Sequence, residues 1–463
     1  MKQIKITLDD LFNLPTAVIY NPDSYKSVSS VSIDSRSIKK DSLFIAIKGE
    51  NFDGHNFVQD AINKGASSVI VNENKFNELV DLDLPVITVQ DTTTALGDLA
   101  KIWRDKLDTK IIGLTGSAGK TTTKEMLASL LSEKFKVNKT IGNNNNHIGV
   151  PLTILSSNQS HDYLVLELGT NHFGEIEYTA NIARPDYALI TNIGSSHLEF
   201  LKNKKGVLKE KAAIFEATVS RKGVLFINND DELLKNEMKN YSSKITFGFF
   251  NNADVKGQIT GLNNDGRTLI NIRYKNKRLE HALPLYGEQN AKNYLAAVSV
   301  ALKIGLGKSE ISAGTSKLKA VDKRLSVKEY KNFILIDDTC NANPESMKMA
   351  LELLSKIKKY RKKIAVLGDM FELGDQGIKL HKQLASVIKK NKIDCVYMTG
   401  KLMKYLADEL KNLKIGFRYF KNRNSMNNFL SNLDLENSVV LVKGSRGMKM
   451  EEFIKTIEAR AND

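Results

Sequence analysis

A glycine-rich loop between two apolar segments is the sharpest chemical signal in this sequence. The run KIIGLTG (110–116) leads directly into SAGKTT (117–122), and the amphipathic segment KEMLASLLSEKF (124–135) follows. Glycines let backbone N–H groups turn towards phosphate oxygens, and the N-terminus of a helix adds the positive end of its dipole. The pattern T-G-x-x-G-K-T-T therefore predicts a nucleoside triphosphate site with contacts from these residues: Gly116, Ser117, Ala118, Gly119, Lys120, Thr121 and Thr122.

Two side chains give this loop its expected chemistry. The Lys120 ammonium can neutralise the β- and γ-phosphates of a nucleotide, and the Thr121 hydroxyl can bind Mg²⁺. The spacing from Gly113 to Gly119 is one residue too long for the strict motif G-x-x-x-x-G-K-[ST], so only the shorter form applies. A match to the guanine-reading N-K-x-D at 391–394 lies at a helix-to-strand junction outside the unit that carries the loop. We interpret that match as a coincidence.

The composition indicates a cytoplasmic protein of several domains. At 463 residues, with 41% hydrophobic residues, the chain is too long for one core, and roughly two to four domains are expected. No apolar run is long enough to span a bilayer, and the N-terminus has no signal pattern, so we expect no membrane insertion. The two cysteines, Cys340 and Cys395, are far apart, which excludes a disulfide framework and a Cys-based zinc site.

The net charge of +15 raises the question of a polyanionic partner. Lysines and arginines are spread along amphipathic segments such as SKIKKYRKK (355–363), without an arginine-rich arm or an aromatic–basic RNA-binding pattern. We therefore expect a phosphate-rich small substrate and no nucleic-acid partner. The alternative from another class, a P-loop ATPase or GTPase that acts on nucleic acid, predicts turnover stimulated by nucleic acid.

Three α/β units follow one another, over residues 1–108, 109–324 and 325–463. In the central unit, YLVLELG (163–169) and YALITNI (187–193) are near-continuous apolar runs, typical of parallel strands covered on both faces. Helical segments between the strands predict crossover connections. The strand-like runs of the third unit are NFILIDD (332–338), KIAVLGDM (363–370), DCVYMTG (394–400), GFRYF (416–420) and VVLVKGS (439–445).

The end of the central unit has a different pattern. KITFGFF (244–250) and TLINIRY (268–274) flank the turn-forming sequence NNDG (263–266). Such turns join antiparallel strands, so both runs are predicted to be antiparallel additions to the sheet. The asparagine-rich GNNNN (142–146) is predicted to be an ordered polar loop.

Several segments together resemble the Mur ligase family, whose members add amino acids or dipeptides to UDP-N-acetylmuramic acid precursors. They are the T-G-x-x-G-K-T-T loop, GNNNNHIGVPLTIL (142–155), ELGTNHFGEI (167–176) and NIGSSHLEF (192–200). The resemblance covers essentially the whole chain. It implies an α/β fold of three domains: a small N-terminal UDP-binding domain, a central P-loop ATPase domain with a parallel sheet, and a C-terminal Rossmann-like domain.

Within the family, four stretches resemble the member that adds a preformed dipeptide: ELGTNHFGEI (167–176), DDTCNANPESM (337–347), AVLGDMFELG (365–374) and LVKGSRGMKMEE (441–452). The D-N-P-R sequence that marks the sibling adding the third amino acid does not occur. The resemblance implies that ATP and Mg²⁺ drive the joining of D-alanyl-D-alanine to UDP-N-acetylmuramoyl-tripeptide through an acyl phosphate. We expect a monomer. A sibling such as a folylpolyglutamate synthase shares this chemistry but not the D-S-R sequence (34–36) or the C-N-A-N-P stretch (340–344). A non-catalytic ATP-binding module does not explain why every expected chemical position is occupied.

The resemblance implies a metal site that includes Thr121, Glu167, His197 and Lys211, the last three catalytic together with Lys120. Glu167 ends an apolar strand at the same sheet edge as the P-loop, and His197 follows the next strand. Lys211 matches the family lysine that carries a carbamate, which would turn a cation into an anionic oxygen ligand for Mg²⁺. Lys209 is the competing choice for this modification.

Further contacts are implied at the nucleotide. Asn290 and Asn293 share a helix face, and their amides suit the edge of an adenine base. Arg324 and Asp338 match positions that close on the nucleotide from the third domain. Cys340 stands where most relatives have Tyr.

The substrate contacts implied by the resemblance lie in all three units. Asp34, Ser35 and Arg36 would hold the uridine diphosphate end, the arginine through charge-assisted hydrogen bonds. The other positions expected to bind substrate are Asn145, Asn146, Lys443, Ser445 and Arg446, of which the last three would face the carboxylate of the incoming peptide.

Overall fold

The computed structural model of the chain describes residues 4–78, 82–263 and 267–460. These residues form three β-sheets, and each sheet lies within one of the three predicted units. Residues 264–266 of the predicted turn lie outside the described residues. The α/β class and the three-domain architecture are confirmed, and the exact limits of the units stay a prediction.

The first sheet has five strands in the order β1-β5-β4-β3-β2. It is parallel except for β1, which pairs antiparallel with β5 at one edge. Its elements are α1 (Leu8–Phe12), β1 (Val18–Tyr20), β2 (Ser30–Ser32), β3 (Ser42–Ile45), α2 (Val58–Asn63), β4 (Ala66–Asn72), β5 (Val86–Val89) and α3 (Thr92–Lys106).

The central sheet has nine strands in the order β14-β13-β12-β11-β10-β9-β6-β8-β7. Its strands are β6 (Lys110–Thr115), β7 (Val137–Lys139), β8 (Tyr163–Glu167), β9 (Tyr187–Ile190), β10 (Val224–Asn228), β11 (Lys244–Gly248), β12 (Val255–Leu262), β13 (Thr268–Tyr274) and β14 (Lys277–Ala282). Its helices are α4 (Lys120–Leu131), α5 (Gly149–Leu155), α6 (Glu175–Ala183), α7 (Leu198–Leu201), α8 (Lys204–Val219), α9 (Glu288–Ile304) and α10 (Lys308–Ser316).

The strand direction predicted for residues 244–250 is wrong. β11 pairs parallel with both β10 and β12, whereas β13 is antiparallel to β12 and β14, as predicted. The segment between β10 and β11 crosses back over the sheet, so β11 enters in the same direction as β10. In the chain, residues 263–267 lie between β12 and β13, and not between β11 and β13. Strand β12 was not predicted from the sequence. It contains no continuous apolar run, and Gly257 and Gly261 interrupt its alternation of apolar and polar residues.

The third sheet has six strands in the order β15-β16-β20-β17-β18-β19, parallel except for β15 at the edge. Its strands are β15 (Ser326–Glu329), β16 (Phe333–Asp338), β17 (Lys362–Gly368), β18 (Cys395–Thr399), β19 (Gly416–Phe420) and β20 (Ser438–Lys443). Its helices are α11 (Pro344–Lys356), α12 (Gly377–Lys390), α13 (Met403–Asn412), α14 (Arg423–Leu430) and α15 (Glu451–Ala459).

One hydrophobic core is shared by the first and central units. Helix α3 packs against α5 and α6, although the chain passes into the central unit only after this helix. The Trp103 indole N–H donates to the Ser157 carbonyl at 2.9 Å, and the buried Arg104 pairs with Asp186 at 2.9 Å. Since both contacts cross between the units inside a shared core, the first two units are firmly joined.

The third unit meets the central unit through polar contacts. The Asn343 amide donates to the Ser117 carbonyl of the P-loop at 3.1 Å. Glu345 pairs with Lys204 at 3.1 Å. Polar interfaces of this kind are typical of domains that move relative to one another.

Candidate active site

One cleft of about 490 Å³ lies where the central and third units meet. It is bounded by the P-loop, the asparagine-rich loop, α9 and the loops that follow β16, β17 and β20. The predicted site residues that line it are Ser117, Ala118, Gly119, Lys120, Thr122, Asn145, Asn146, Glu167, His197, Asn290, Asn293, Arg324, Asp338, Lys443, Ser445 and Arg446.

The P-loop has the predicted strand–loop–helix form. β6 ends at Thr115, and α4 begins at Lys120 with Gly119 as its N-cap. Gly119 has a left-handed backbone (φ 81°), and a Cβ there would lie 2.2 Å from the Asn293 side-chain oxygen. Only glycine meets both conditions without strain, because other residues rarely adopt this conformation. The loop is therefore fixed both by its backbone and by its contact with α9.

Three neighbouring strands deliver the chemical groups to one sheet edge. β8, β6 and β9 lie side by side and parallel, and Leu114 of β6 is paired with Glu167 of β8. The P-loop follows β6, Glu167 is the last residue of β8, and His197 lies in the loop after β9. The carboxyl ends of parallel strands are where ligands bind in open α/β sheets.

Glu167 is held firmly in the wall of the cleft. The Asn145 amide donates to one of its carboxylate oxygens at 2.9 Å, and its backbone N–H donates to the Thr140 hydroxyl at 3.0 Å. The Lys124 ammonium is 3.9 Å from the other carboxylate oxygen, Oε2. Glu167 is therefore positioned before any ligand arrives.

The residues present fit a magnesium ion. Within the described ranges, Glu167 Oε2 and the hydroxyl of Thr121 are both buried and have no hydrogen-bond partner. Buried oxygens rarely remain unpaired, and carboxylate and hydroxyl oxygens are ligands that Mg²⁺ accepts. No group of three or more His, Cys, Asp or Glu side chains in the described parts of the chain could hold a metal alone. An ion here therefore needs other ligands, such as phosphate oxygens.

Two lysines near Glu167 have altered acidity. Burial lowers the pKa of Lys120, opposed by the neighbouring Glu167 carboxylate, and its ammonium donates to the Gly116 carbonyl at 2.8 Å. Burial, followed by repulsion from Lys120, lowers the pKa of Lys211 well below its ordinary value. Lys211 is 1% exposed, whereas Lys209 is on the surface. Of the two candidates for carbamylation, Lys211 is the one that lies beside the P-loop lysine and Glu167.

The asparagine-rich loop is ordered, as predicted. The Asn145 side chain holds Glu167, and the Asn146 side-chain oxygen accepts from the N–H groups of Ile148 and Gly149 at 3.2 and 2.9 Å. Both side chains line the cleft while serving these structural contacts. The loop thereby links α5 to the end of β8.

The two asparagines of α9 are buried beside the P-loop. The Asn290 amide donates to the Tyr286 carbonyl at 2.8 Å, and the Asn293 oxygen accepts from Gln289 at 3.0 Å. Asn293 also touches Gly119, as described above. Both residues therefore lie on the P-loop side of the cleft, and each side-chain amide already makes one hydrogen bond within or next to α9.

Lys443 was expected to face the carboxylate of the incoming peptide, but its ammonium already has partners within the third unit. Its ammonium pairs with Asp338 at 2.6 Å and donates to the Asn341 carbonyl at 2.8 Å, and the side chain is only 1% exposed. The Ser445 hydroxyl accepts from the Phe371 N–H at 2.8 Å. Arg446 is exposed at the cleft and has no ion pair among the residues described.

Asp34, Ser35 and Arg36 do not line this cleft. Arg36 forms a bidentate pair with Asp34, with its Nη2 2.8 Å from a carboxylate oxygen, and its side chain is 86% exposed. The hydrogen bond from Arg36 lowers the pKa of the Asp34 carboxyl to about 2. The structure therefore places this segment on the first unit, apart from the cleft, with Arg36 exposed and Ser35 buried.

Among the cleft residues of the third unit that had no functional prediction, Asn343 and Glu372 contact the central unit. Asn343 caps α11, because its side-chain oxygen accepts from the Ser346 N–H at 2.8 Å, and its amide reaches the P-loop. The sequence N-P-E-S could have revealed the cap. Glu372 lies 2.5 Å from the His197 ring. No sequence pattern marks this contact, since it depends on how two units dock.

The fold and cleft define a nucleotide-binding protein built from three α/β domains around a P-loop. Three family models match the chain: "Mur ligase family, catalytic domain" over residues 27–104, "Mur ligase middle domain" over 114–301 and "Mur ligase, glutamate ligase domain" over 323–446. The chain belongs to the Mur ligase family and is an ATP-dependent ligase.

Similar proteins match over nearly the full length. The UDP-N-acetylmuramoyl-tripeptide–D-alanyl-D-alanine ligase of Bacillus subtilis (strain 168) is 36% identical over an alignment of 461 residues that covers 98% of each chain. A crystal structure of MurF from Acinetobacter baumannii is similar with a TM-score of 0.88, at 30% identity over 99% of each chain. MurF from Thermotoga maritima in complex with ADP has a TM-score of 0.82 and 27% identity, covering 94% of this chain and 98% of that one.

Within the described ranges, no helix combines the length and the apolarity needed to cross a membrane.

Proposed function

We propose that this chain joins D-alanyl-D-alanine to UDP-N-acetylmuramoyl-tripeptide and so forms the UDP-linked pentapeptide of peptidoglycan synthesis. The observation that carries the proposal is the cleft itself, where the P-loop, the buried carboxylate of Glu167 and the exposed Arg446 meet. The similarity over nearly the full length to the Bacillus subtilis ligase described above supports the choice of substrates.

The reaction has two steps. The terminal carboxylate of the tripeptide attacks the γ-phosphorus of ATP, and ADP leaves. The free amine of the dipeptide then attacks the acyl phosphate carbon, loses a proton and expels inorganic phosphate. A carboxylate is a poor acyl donor, so the first step supplies the leaving group that the second step needs.

The P-loop and α9 bind and orient ATP in this proposal. Backbone N–H groups at 116–119 and the N-terminus of α4 hold the phosphates, and Lys120 stabilises the charge that develops on the transferred phosphoryl group. Asn290 and Asn293 support the adenine side, and Arg324 reaches the nucleotide from the junction of the central and third units.

Thr121, Glu167, His197 and a carbamylated Lys211 would hold Mg²⁺, which supplies charge neutralisation between the γ-phosphate and the substrate carboxylate. The lowered pKa of Lys211 supports this modification, because only a neutral amine can attack carbon dioxide. Lys211 is buried next to Lys120 and Glu167, so a carbamate on Lys211 would place an anionic oxygen beside the proposed metal ligands.

The dipeptide is proposed to bind on the third-domain side. Arg446 is the cation there that has no partner among the described residues, so we assign to it the terminal carboxylate of D-alanyl-D-alanine. Lys443 keeps Asp338 in place, and Ser445 supports the loop that begins at Phe371.

The first unit is proposed to bind the uridine diphosphate end through Asp34, Ser35 and Arg36. The Asp34–Arg36 pair is exposed, so Arg36 can exchange this partner for a phosphate at little cost. We propose domain limits at 1–108, 109–324 and 325–463, a monomeric enzyme, and a cytoplasmic location where ATP and UDP-linked precursors occur together.

A substrate panel tests the proposal. Phosphate release is measured with ATP, Mg²⁺, the UDP-linked tripeptide and D-alanyl-D-alanine together, and with each component omitted in turn. Turnover should require all four components, and the panel should include tripeptides ending in lysine and in diaminopimelate. Comparable turnover with lysine, diaminopimelate or D-alanine in place of the dipeptide would assign the chain to a sibling activity.

A further inference from the structure

The imidazole of His197 meets a carboxylate that comes from the other side of the cleft. Glu372, in the loop after β17 of the third unit, places Oε2 2.5 Å from Nδ1 of His197. The oxygen lies off the direction of a ring N–H, so the contact is an ion-pair approach and not yet an aligned hydrogen bond. The His197 side chain is 16% exposed and that of Glu372 is 41% exposed.

The two loops are also joined through their backbones. The Glu199 N–H donates to the Glu372 carbonyl at 3.1 Å. Gly374 approaches so closely that a Cβ there would lie 3.1 Å from the Glu199 Cα. His197 and Glu372 both have left-handed backbones, with φ values of 53° and 60°. Non-glycine residues in this conformation are uncommon and are maintained where the surroundings over-determine them.

The Glu372 loop is anchored on its own side as well. The Phe371 N–H donates to the Ser445 hydroxyl at 2.8 Å, and the Ser445 N–H donates to the Asp369 carbonyl at 2.9 Å. Glu372 is thus fixed relative to the end of β20 in the third domain. Its carboxylate can therefore reach His197 only while the third domain is docked.

We propose that Glu372 is a positioning residue for His197, one that orients the imidazole for metal binding when the third domain docks. The inference rests on the proposed function, in which His197 is a metal ligand. With Nδ1 in contact with the Glu372 carboxylate, Nε2 is the ring nitrogen left for a metal. A carboxylate that contacts the second nitrogen of a ligating histidine fixes the ring and raises its basicity.

A simple surface ion pair between two domains is the alternative, and it predicts a different result. Such a pair contributes little to stability and would affect docking but not the metal. Glu345, which pairs with Lys204 across the same interface, offers a matched comparison, since Glu345→Gln breaks a cross-domain pair in which the His197 ring takes no part. Asp375→Asn removes one charge from an exposed position close to Glu372.

The test measures binding of Mn²⁺, as a probe for Mg²⁺, to the full chain with ADP and without muramoyl substrate. Electron paramagnetic resonance of free Mn²⁺ gives the number of sites and their Kd values without turnover. Glu372→Gln should weaken the site that depends on His197 by about 10- to 100-fold. Glu345→Gln and Asp375→Asn should bind Mn²⁺ as the unmodified chain does. In turnover, Glu372→Gln should raise the Mg²⁺ concentration needed for half-maximal rate more than it lowers kcat.

His197→Ala separates the possible failures. If His197→Ala loses a Mn²⁺ site and Glu372→Gln does not weaken it, Glu372 is only an interdomain ion pair and the inference is overturned. Equal weakening by Glu345→Gln would attribute the effect to docking and would also overturn it. If His197→Ala keeps every site, the metal role of His197 in the proposed function fails, and the inference fails with it. The substrate panel still tests the ligase activity independently.

Discussion

Replacing Gly119 by alanine tests whether the P-loop must keep the conformation seen here. Gly119 caps α4 with φ 81°, and the added Cβ would lie 2.2 Å from the Asn293 side-chain oxygen. That oxygen accepts from Gln289 at 3.0 Å, so the amide can move only by giving up this hydrogen bond. Gly119→Ala therefore has two separate costs, one in the backbone and one in the contact with α9.

Both costs can be given a magnitude. A non-glycine residue in the left-handed region costs about 1–2 kcal/mol. Losing one ordinary hydrogen bond costs about 0.5–1.5 kcal/mol. If nucleotide binding requires the loop as seen, the sum of about 1.5–3.5 kcal/mol corresponds to about a 10- to 400-fold rise in Kd.

Isothermal titration calorimetry with Mg²⁺ and a non-hydrolysable ATP analogue measures this change. Gly174→Ala is the matched control, because Gly174 caps α6 with φ 89° and has no atom within 4 Å of the added Cβ. Gly174→Ala should leave the affinity unchanged within about 2-fold. In a double-mutant cycle, Asn293→Ala should recover the steric part of the loss and leave the backbone part. A Kd for Gly119→Ala within 2-fold of the unmodified chain would refute the reasoning.

Three further substitutions follow from the site. Lys120→Ala should lower kcat at least about 100-fold in a folded protein, because phosphoryl transfer loses its fixed charge, and near-normal turnover would remove the lysine from the mechanism. Lys211→Ala should be inactive and partly restored by short carboxylates that replace the carbamate; no restoration, or full activity without them, would argue against carbamylation. Lys443→Met leaves Asp338 buried without its partner and should destabilise the third domain by about 3–5 kcal/mol, seen as a lower unfolding temperature. Adding Asp338→Asn should restore much of that stability, and an additive loss would contradict the pairing.

The elements around the P-loop could be predicted because their signals are local. KIIGLTG, YLVLELG and YALITNI are buried on both faces, so each reads as a continuous apolar run, and each forms a strand close to its predicted position. Since parallel strands end at one edge, placing Glu167 beside the P-loop needed only the strand directions. The same reasoning failed for β11, because an apolar run does not reveal direction.

The contacts between units, and those between strands that are distant in sequence, could not be predicted, because they depend on tertiary geometry and not on local pattern. Nothing in the sequence indicates that Lys443 pairs with Asp338, that the Asn343 amide reaches Ser117, or that Glu372 approaches His197. Lys443 is the last residue of an apolar strand, and the sequence alone suggested that its ammonium faces the peptide carboxylate. Burial of its ammonium beside a carboxylate is a property of two neighbouring strands, β16 and β20, which are distant in sequence.

The fate of the carboxylate oxygens tests most directly whether this cleft forms an amide through an acyl phosphate. The UDP-linked tripeptide is labelled with ¹⁸O in both oxygens of its terminal carboxylate and incubated with ATP, Mg²⁺ and D-alanyl-D-alanine. The account predicts that one labelled oxygen appears in inorganic phosphate and the other in the new amide carbonyl, in equal amounts by mass spectrometry. Unlabelled phosphate would contradict it, because ATP would then have been cleaved without activation of the carboxylate.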